Sequence, residues 1–171
     1  MSIQRRTRGT SSLEFTLVGI PLLFVVISTF EMCRGMWTYQ TLGFAIKEGS
    51  RYAVVHGQNC TIPPNACSVT ISQIASVIQT AGSGLASDTL SLTFTPSVGA
   101  STSCVLRDCI STYATTAWPS ESANAPGEVV KISGVYPFST VLAMFWPGTT
   151  PVNGSPTTLN LGADARESMQ Y

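Results

Sequence analysis

Charge is scarce in this chain: Asp, Glu, Lys and Arg make up 11% of 171 residues, nine acidic against nine basic, for a formal net charge of zero. Past the first eight positions the basic residues are scattered, so there is no electrostatic footprint for a polyanion and nucleic acid is not an expected partner. Histidine is reduced to one residue, His56. It sits beside Gly57 at the end of a predicted helix, where a satisfied cap or an exposed side chain is the ordinary role. No G-x-S-x-G elbow, P-loop, H-E-x-x-H or dinucleotide fingerprint occurs. Asp88, Asp108, Glu121, Glu128, Asp164 and Glu167 are scattered, with no paired spacing that would mark an acid/base couple. The cysteine spacings are wider than the C-x2-C knuckle of zinc sites, and no histidine lies near Cys104 and Cys109. The chain reads as neither an enzyme nor a holder of a metal or other cofactor.

What it does have is one long apolar run. Arg5, Arg6 and Arg8 come first, then Gly9 and a few small or apolar residues, then Glu14; Phe15 to Phe30 follows with no formal charge. At about 1.5 Å per residue, such a helix covers most of a hydrocarbon core of roughly 30 Å. A cleaved secretory signal shares this plan but needs a small-x-small site after its apolar core. Here Glu31-Met32-Cys33-Arg34 follows, bulky and charged, so a retained membrane anchor is expected. The arginine excess ahead of the span places the N-terminus in the cytoplasm and the rest across the bilayer. The expected organisation is a leader over 1–9, a long helix over 10–56 with its span at about 13–33, and an extracytoplasmic domain over 57–171. Glu14 is the anomaly, because a carboxylate at depth in lipid costs several kcal/mol. Either it is solvated at the interface near the positive end of the helix dipole, or it gains a partner when such helices pack together.

Gly9, then Thr10-Ser11-Ser12-Leu13, then Glu14-Phe15 resembles the processing motif of the type IV-like prepilins of the tight-adherence (Tad) pilus. Val18-Gly19-Ile20-Pro21-Leu22-Leu23, Phe30-Glu31-Met32-Cys33-Arg34-Gly35 and Ala45-Ile46-Lys47-Glu48-Gly49-Ser50-Arg51-Tyr52-Ala53 extend the likeness to the TadE-like pseudopilins. It covers about the first third of the chain. Phe15 stands where major pilins have tyrosine, which suits a minor subunit, and Met32-Cys33 where the family more often has Phe-Gly. The resemblance implies a pilin-like α+β fold and a single-pass protein of the bacterial inner membrane that takes part in pilus assembly. A prepilin peptidase would cut between Gly9 and Thr10, and Glu14 would serve subunit assembly. Other pilins, the assembly machinery, the peptidase and membrane lipid are the implied partners, and the chain is either retained in the membrane or carried into the extracellular pilus. The alternative is a signal-anchored extracytoplasmic binding or adhesin domain that is never processed.

Along the chain, Phe44, Tyr52 and Val55 at helical spacing, with Ala45 and Ala53 between them, carry the first helix past the membrane, with Lys47, Glu48 and Arg51 on other faces. Pro21 should bend it. Pro63-Pro64 marks a loop, and Val69, Ile71, Ile74, Val77 and Ile78 predict a second helix capped by Ser68 and closing at Gly82. Alternation predicts strands through Leu90, Leu92 and Phe94, through Val130, Ile132, Gly134 and Tyr136 up to Pro137, and through Leu159, Leu161, Ala163 and Ala165. Ser97 to Gly127 reads as a long surface excursion. An antiparallel sheet with its inner face covered by the first helix is expected. The apolar stretch Phe138 to Pro147 is either core packing or a patch that meets another subunit or the membrane interface. Cys60, Cys67, Cys104 and Cys109 lie outside the membrane in this topology, where local pairs, Cys60 with Cys67 and Cys104 with Cys109, are favoured among three connectivities. Cys33 is then left over as a small apolar residue fitting a helix contact.

Overall fold

The computed structural model describes residues 8–56, 69–140 and 158–170. Helix α1 (Arg8–Val54) leads into α2 (Ile71–Ala81), β1 (Ser91–Thr95), β2 (Thr102–Val105), α3 (Leu106–Thr112), a 3-10 turn at Glu121–Ala123, β3 (Val129–Ser139) and β4 (Thr158–Ser168). The strands form one antiparallel sheet in the order β2-β1-β3-β4. This is the expected α+β fold: a long apolar helix laid on a small antiparallel sheet.

The second half of α1 turns one face to both the sheet and α2, and missing side chains let it approach each closely. A Cβ on Gly134 of β3 would sit 2.6 Å from Ile46 Cδ1, and one on Gly49 of α1 would sit 2.4 Å from Ile78 Cγ1 of α2. Leu42, Ala45, Ile46 and Ala53 are fully buried there with Ile74, Ile78, Leu92, Phe94 and Ile132. Each large aliphatic side chain so buried contributes on the order of 2 kcal/mol. By contrast the Glu48–Arg51 pair, 3.2 Å apart and largely exposed, adds little. Phe44 departs from expectation: it is 57% exposed, because the buried stripe follows the small residues Ala45, Gly49 and Ala53 rather than the aromatic.

Helix α2 buries Ile71, Ile74, Ala75 and Ile78. Its cap is Thr70 rather than Ser68, which lies outside the described residues. Gln73 N–H donates to Thr70 Oγ1 at 3.3 Å and Thr70 N–H to Gln73 Oε1 at 3.0 Å, a reciprocal box that satisfies two helix-end donors. Val69 stands before the helix, its carbonyl taken by Trp118 N–H at 2.8 Å.

The three expected strands are present, with Leu90, Leu92 and Phe94, and Val130, Ile132 and Gly134, turned inward. Ser97–Gly127 is not the expected featureless excursion, since it holds β2, α3 and the 3-10 turn. These pieces are too short for periodicity to reveal, and they form because β1 offers a pairing edge and α2 a face. Nor does Pro137 end β3, which runs on to Ser139. The β1–β3 pairing stops at Val135, so beyond it one side of β3 has no strand neighbour among the described residues and a proline without N–H is tolerated.

On the outer face, Lys131 Nζ lies 2.9 Å from Asp164 Oδ2. The Lys131 hydrogen bond, then that of Ser133, holds the Asp164 carboxyl below its ordinary pKa. A group depressed on folding contributes stability above its unfolded pKa and loses it as pH falls through the folded value. The stability difference between wild type and Lys131→Met, read by chemical denaturation, is therefore expected to be small, greatest near neutrality and absent in acid.

Gly49→Ala and Gly43→Ala gain the same helix propensity, about 1 kcal/mol. Nothing lies within 4 Å of a Cβ at Gly43, whereas at Gly49 it collides with Ile78. Thermal unfolding is expected to show Gly43→Ala stabilising and Gly49→Ala destabilising by about 1–3 kcal/mol, the usual cost of overpacking.

Candidate membrane and assembly helix

The first half of α1 is largely exposed apolar surface among the described residues. The helix from Ser12 is long and apolar enough to cross a membrane, and no part of its most apolar window is buried against the domain. Phe15, Leu17, Leu22, Leu23, Val25 and Phe30 are all exposed. The few polar side chains in this stretch are satisfied within the helix. Thr16, Ser28 and Thr29 hydroxyls donate to the carbonyls of Ser12, Phe24 and Val25, at 2.8, 2.7 and 2.8 Å. Hydroxyls turned back on the preceding turn cost little in an apolar medium. α1 continues without interruption through Pro21.

Glu14 is the exception. It is exposed, and among the described residues no ion pair involves it. Gly9 and Thr10 lie in the first turn of α1, and Thr10 is four residues before Glu14, one helical turn away on the same face. The backbone therefore places Gly9, Thr10 and Glu14 within two turns of one another, while the Glu14 carboxylate is left facing outward.

The next charges are paired where α1 meets the sheet. Arg34 Nη2 lies 2.9 Å from Glu31 Oε2 and also donates to the carbonyl of Ser139 at the end of β3. Its guanidinium stands 4.5 Å above the Phe138 ring, and Gly35 lets that ring lie close to the helix backbone. Glu31 is only 14% exposed. Beside this junction runs a groove of about 380 Å³ lined by Met32, Met36, Tyr39, Phe138, Leu159 and Leu161 among others. It offers apolar contact and no convergent acid and base. Among the described residues no three His, Cys, Asp or Glu side chains come together as metal ligands.

The remaining sequence candidates are dispersed. Cys104 and Cys109 sulfurs are 2.03 Å apart, joining the end of β2 to α3, where Cys109 is fully buried. Cys60 and Cys67 lie outside the described residues, as does all but the first three residues of the Phe138–Pro147 stretch. Cys33 is exposed with a free thiol rather than seated in a contact of this chain. His56 is buried, its Nδ1 donating to the Tyr52 carbonyl at 2.7 Å and its ring 4.5 Å from that of Tyr52. Arg34 as a three-way tie to β3 was not foreseen; the only hint was an arginine closing the apolar run.

Residues 9–51 match a family model described as TadE-like protein. No curated protein and no solved structure matches the chain. The matched residues are the apolar helix and the part of it that packs on the domain.

Because Arg34 holds the end of β3 by a charged hydrogen bond and a ring contact, Arg34→Ala is expected to loosen that end selectively. Amide hydrogen exchange should rise at Tyr136, Phe138 and Ser139 and stay unchanged at Val130–Gly134, inside the sheet.

Proposed function

We propose that this chain, TadE-like over residues 9–51 and hence associated with the Tad pilus, is a minor pilin that takes part in pilus assembly as a single-pass membrane protein. The observation that carries the reading is the outward-facing carboxylate of Glu14, one helical turn past Gly9-Thr10, at the head of an apolar helix that no described residue outside it covers. The helix inserts with its arginine-bearing end in the cytoplasm, following the bias of basic residues. A prepilin peptidase then removes Met1 to Gly9. The cut takes away Arg5, Arg6 and Arg8, leaving six basic against nine acidic groups, and exposes the amine of Thr10.

The chemistry of that end explains why Glu14 is tolerated. A charged side chain placed in the membrane costs about 3 kcal/mol or more on insertion scales. A cationic amine within hydrogen-bond reach offsets this, either on the same chain or on a neighbouring helix. The neighbouring case fixes the stagger between subunits, since only one axial offset brings the two charges together. Lateral packing comes from the exposed apolar side chains of α1, and the sheet domain decides which subunits fit beside it. The role is structural and uses no cofactor.

Native protein extracted from membranes is expected to show an intact mass lacking Met1 to Gly9; a mass retaining them would instead favour the unprocessed anchored domain. Glu14→Ala is expected to insert into the membrane normally yet be lost from assembled pili, as read by fractionation and immunoblotting. Normal incorporation of that variant would remove Glu14 from the mechanism.

A further inference from the structure

Below Val135 the sheet narrows to a ribbon. β1 pairs with β3 only as far as Ser91↔Val135, while β3 and β4 stay paired down to Ser139↔Thr158. At roughly 3.4 Å per residue the ribbon projects about 13 Å beyond the sheet body. It runs down along α1, held by Phe138 against Gly35 and by the Arg34 bond to the Ser139 carbonyl.

Helix α1 serves as a ruler for where that ribbon ends. At 1.5 Å per residue Arg34 is about 30 Å from Glu14, the thickness of a hydrocarbon core. The groove beside the ribbon reaches further, to Ser28, which lies within the uncharged run. Leu159, opposite Phe138 in register, is 61% exposed, and Met32 and Met36, which line the same groove, continue its apolar surface onto α1. The charges at this level among the described residues, Glu31 and Arg34, neutralise each other.

We propose that the β3–β4 ribbon is a second membrane contact, and that bilayer lipid on the domain's side covers the groove, with Leu159 and Met36 facing acyl chains. This rests on the reading of α1 as a membrane span. The contact lies at the boundary of headgroups and acyl chains rather than deeper. The outer edge of β4 carries backbone N–H and C=O groups with no strand partner among the described residues, and each would cost several kcal/mol in hydrocarbon. At the boundary, water and headgroups satisfy that edge while the apolar side chains enter the lipid. The domain is then seated on the bilayer at two points and held at a fixed tilt.

The test is photocrosslinking of the full chain in vesicles of phosphatidylethanolamine and phosphatidylglycerol, with p-benzoylphenylalanine placed singly at Phe24, Leu159 or Val98. Phe24 reports the span, and Val98, exposed beyond the opposite end of β1, reports the far side of the domain. Lipid adducts at 24 and 159 in similar yield, with loss of the signal at 98, are expected. Adducts at 24 without adducts at 159, or adducts at 159 to a second copy of the chain in place of lipid, would overturn the ribbon contact and leave the span standing. Silence at 24 would overturn the span and the ribbon contact together.

Discussion

Ile78 lies against the bare backbone of Gly49, and Ile46 and Leu42 against that of Gly134. These two approaches let one face of the helix pack closely on both a sheet and a second helix, with fully buried aliphatic side chains at each contact. The domain around α1 is small, so its stability depends heavily on how much apolar surface this one helix buries. A methyl group at either glycine would push α1 away from a neighbour, and loose packing forfeits dispersion contacts along its whole length. The first half of the same helix makes no such contacts among the described residues. One secondary structure element thus works in two solvents, with a protein core around its C-terminal half and an apolar surface needing other cover around the rest.

The join between those halves is built from a few strong, short-range contacts. Glu31 and Arg34 are the first charges after the uncharged run, and they meet each other and the end of β3. An arginine that stacks on a ring while hydrogen bonding in the plane of its guanidinium suits this place better than lysine, whose ammonium cannot do both. The two halves of the helix are thereby joined to β3 at this point by a hydrogen bond and a ring contact.

Much of this was legible in the residues. The uncharged run from Phe15 to Phe30, the alternation through Leu90, Leu92 and Phe94 and through Val130, Ile132 and Gly134, and the three- and four-residue spacing after Ile71 each carry a period that follows from local geometry. What escaped notice depends on partners distant in sequence. β2 has four residues and α3 seven, and they take shape against β1 and α2. Phe44 recurs at helical spacing with Tyr52 and Val55, yet the buried stripe runs through Leu42, Ala45, Ile46, Gly49 and Ala53 and leaves Phe44 exposed. The cap at Thr70 was readable from Gln73 three residues on. The residues proposed for processing and assembly, Gly9, Thr10 and Glu14, form a local motif, and the structure adds only that they stand in the first two turns of α1. The tie at Arg34 joins residues far apart in the chain and could not be read from spacing.

β4 borders the sheet with eleven residues and has no strand on its outer side among those described. Such a border invites a twin from another molecule, and the simplest twinning is by a two-fold axis normal to the sheet. That operation turns around every direction lying in the sheet plane, including that of the long helix resting on it. Two molecules rooted in one bilayer cannot point their roots opposite ways, so a shared membrane guards this border against like-with-like zippering without any residue being set aside for the purpose.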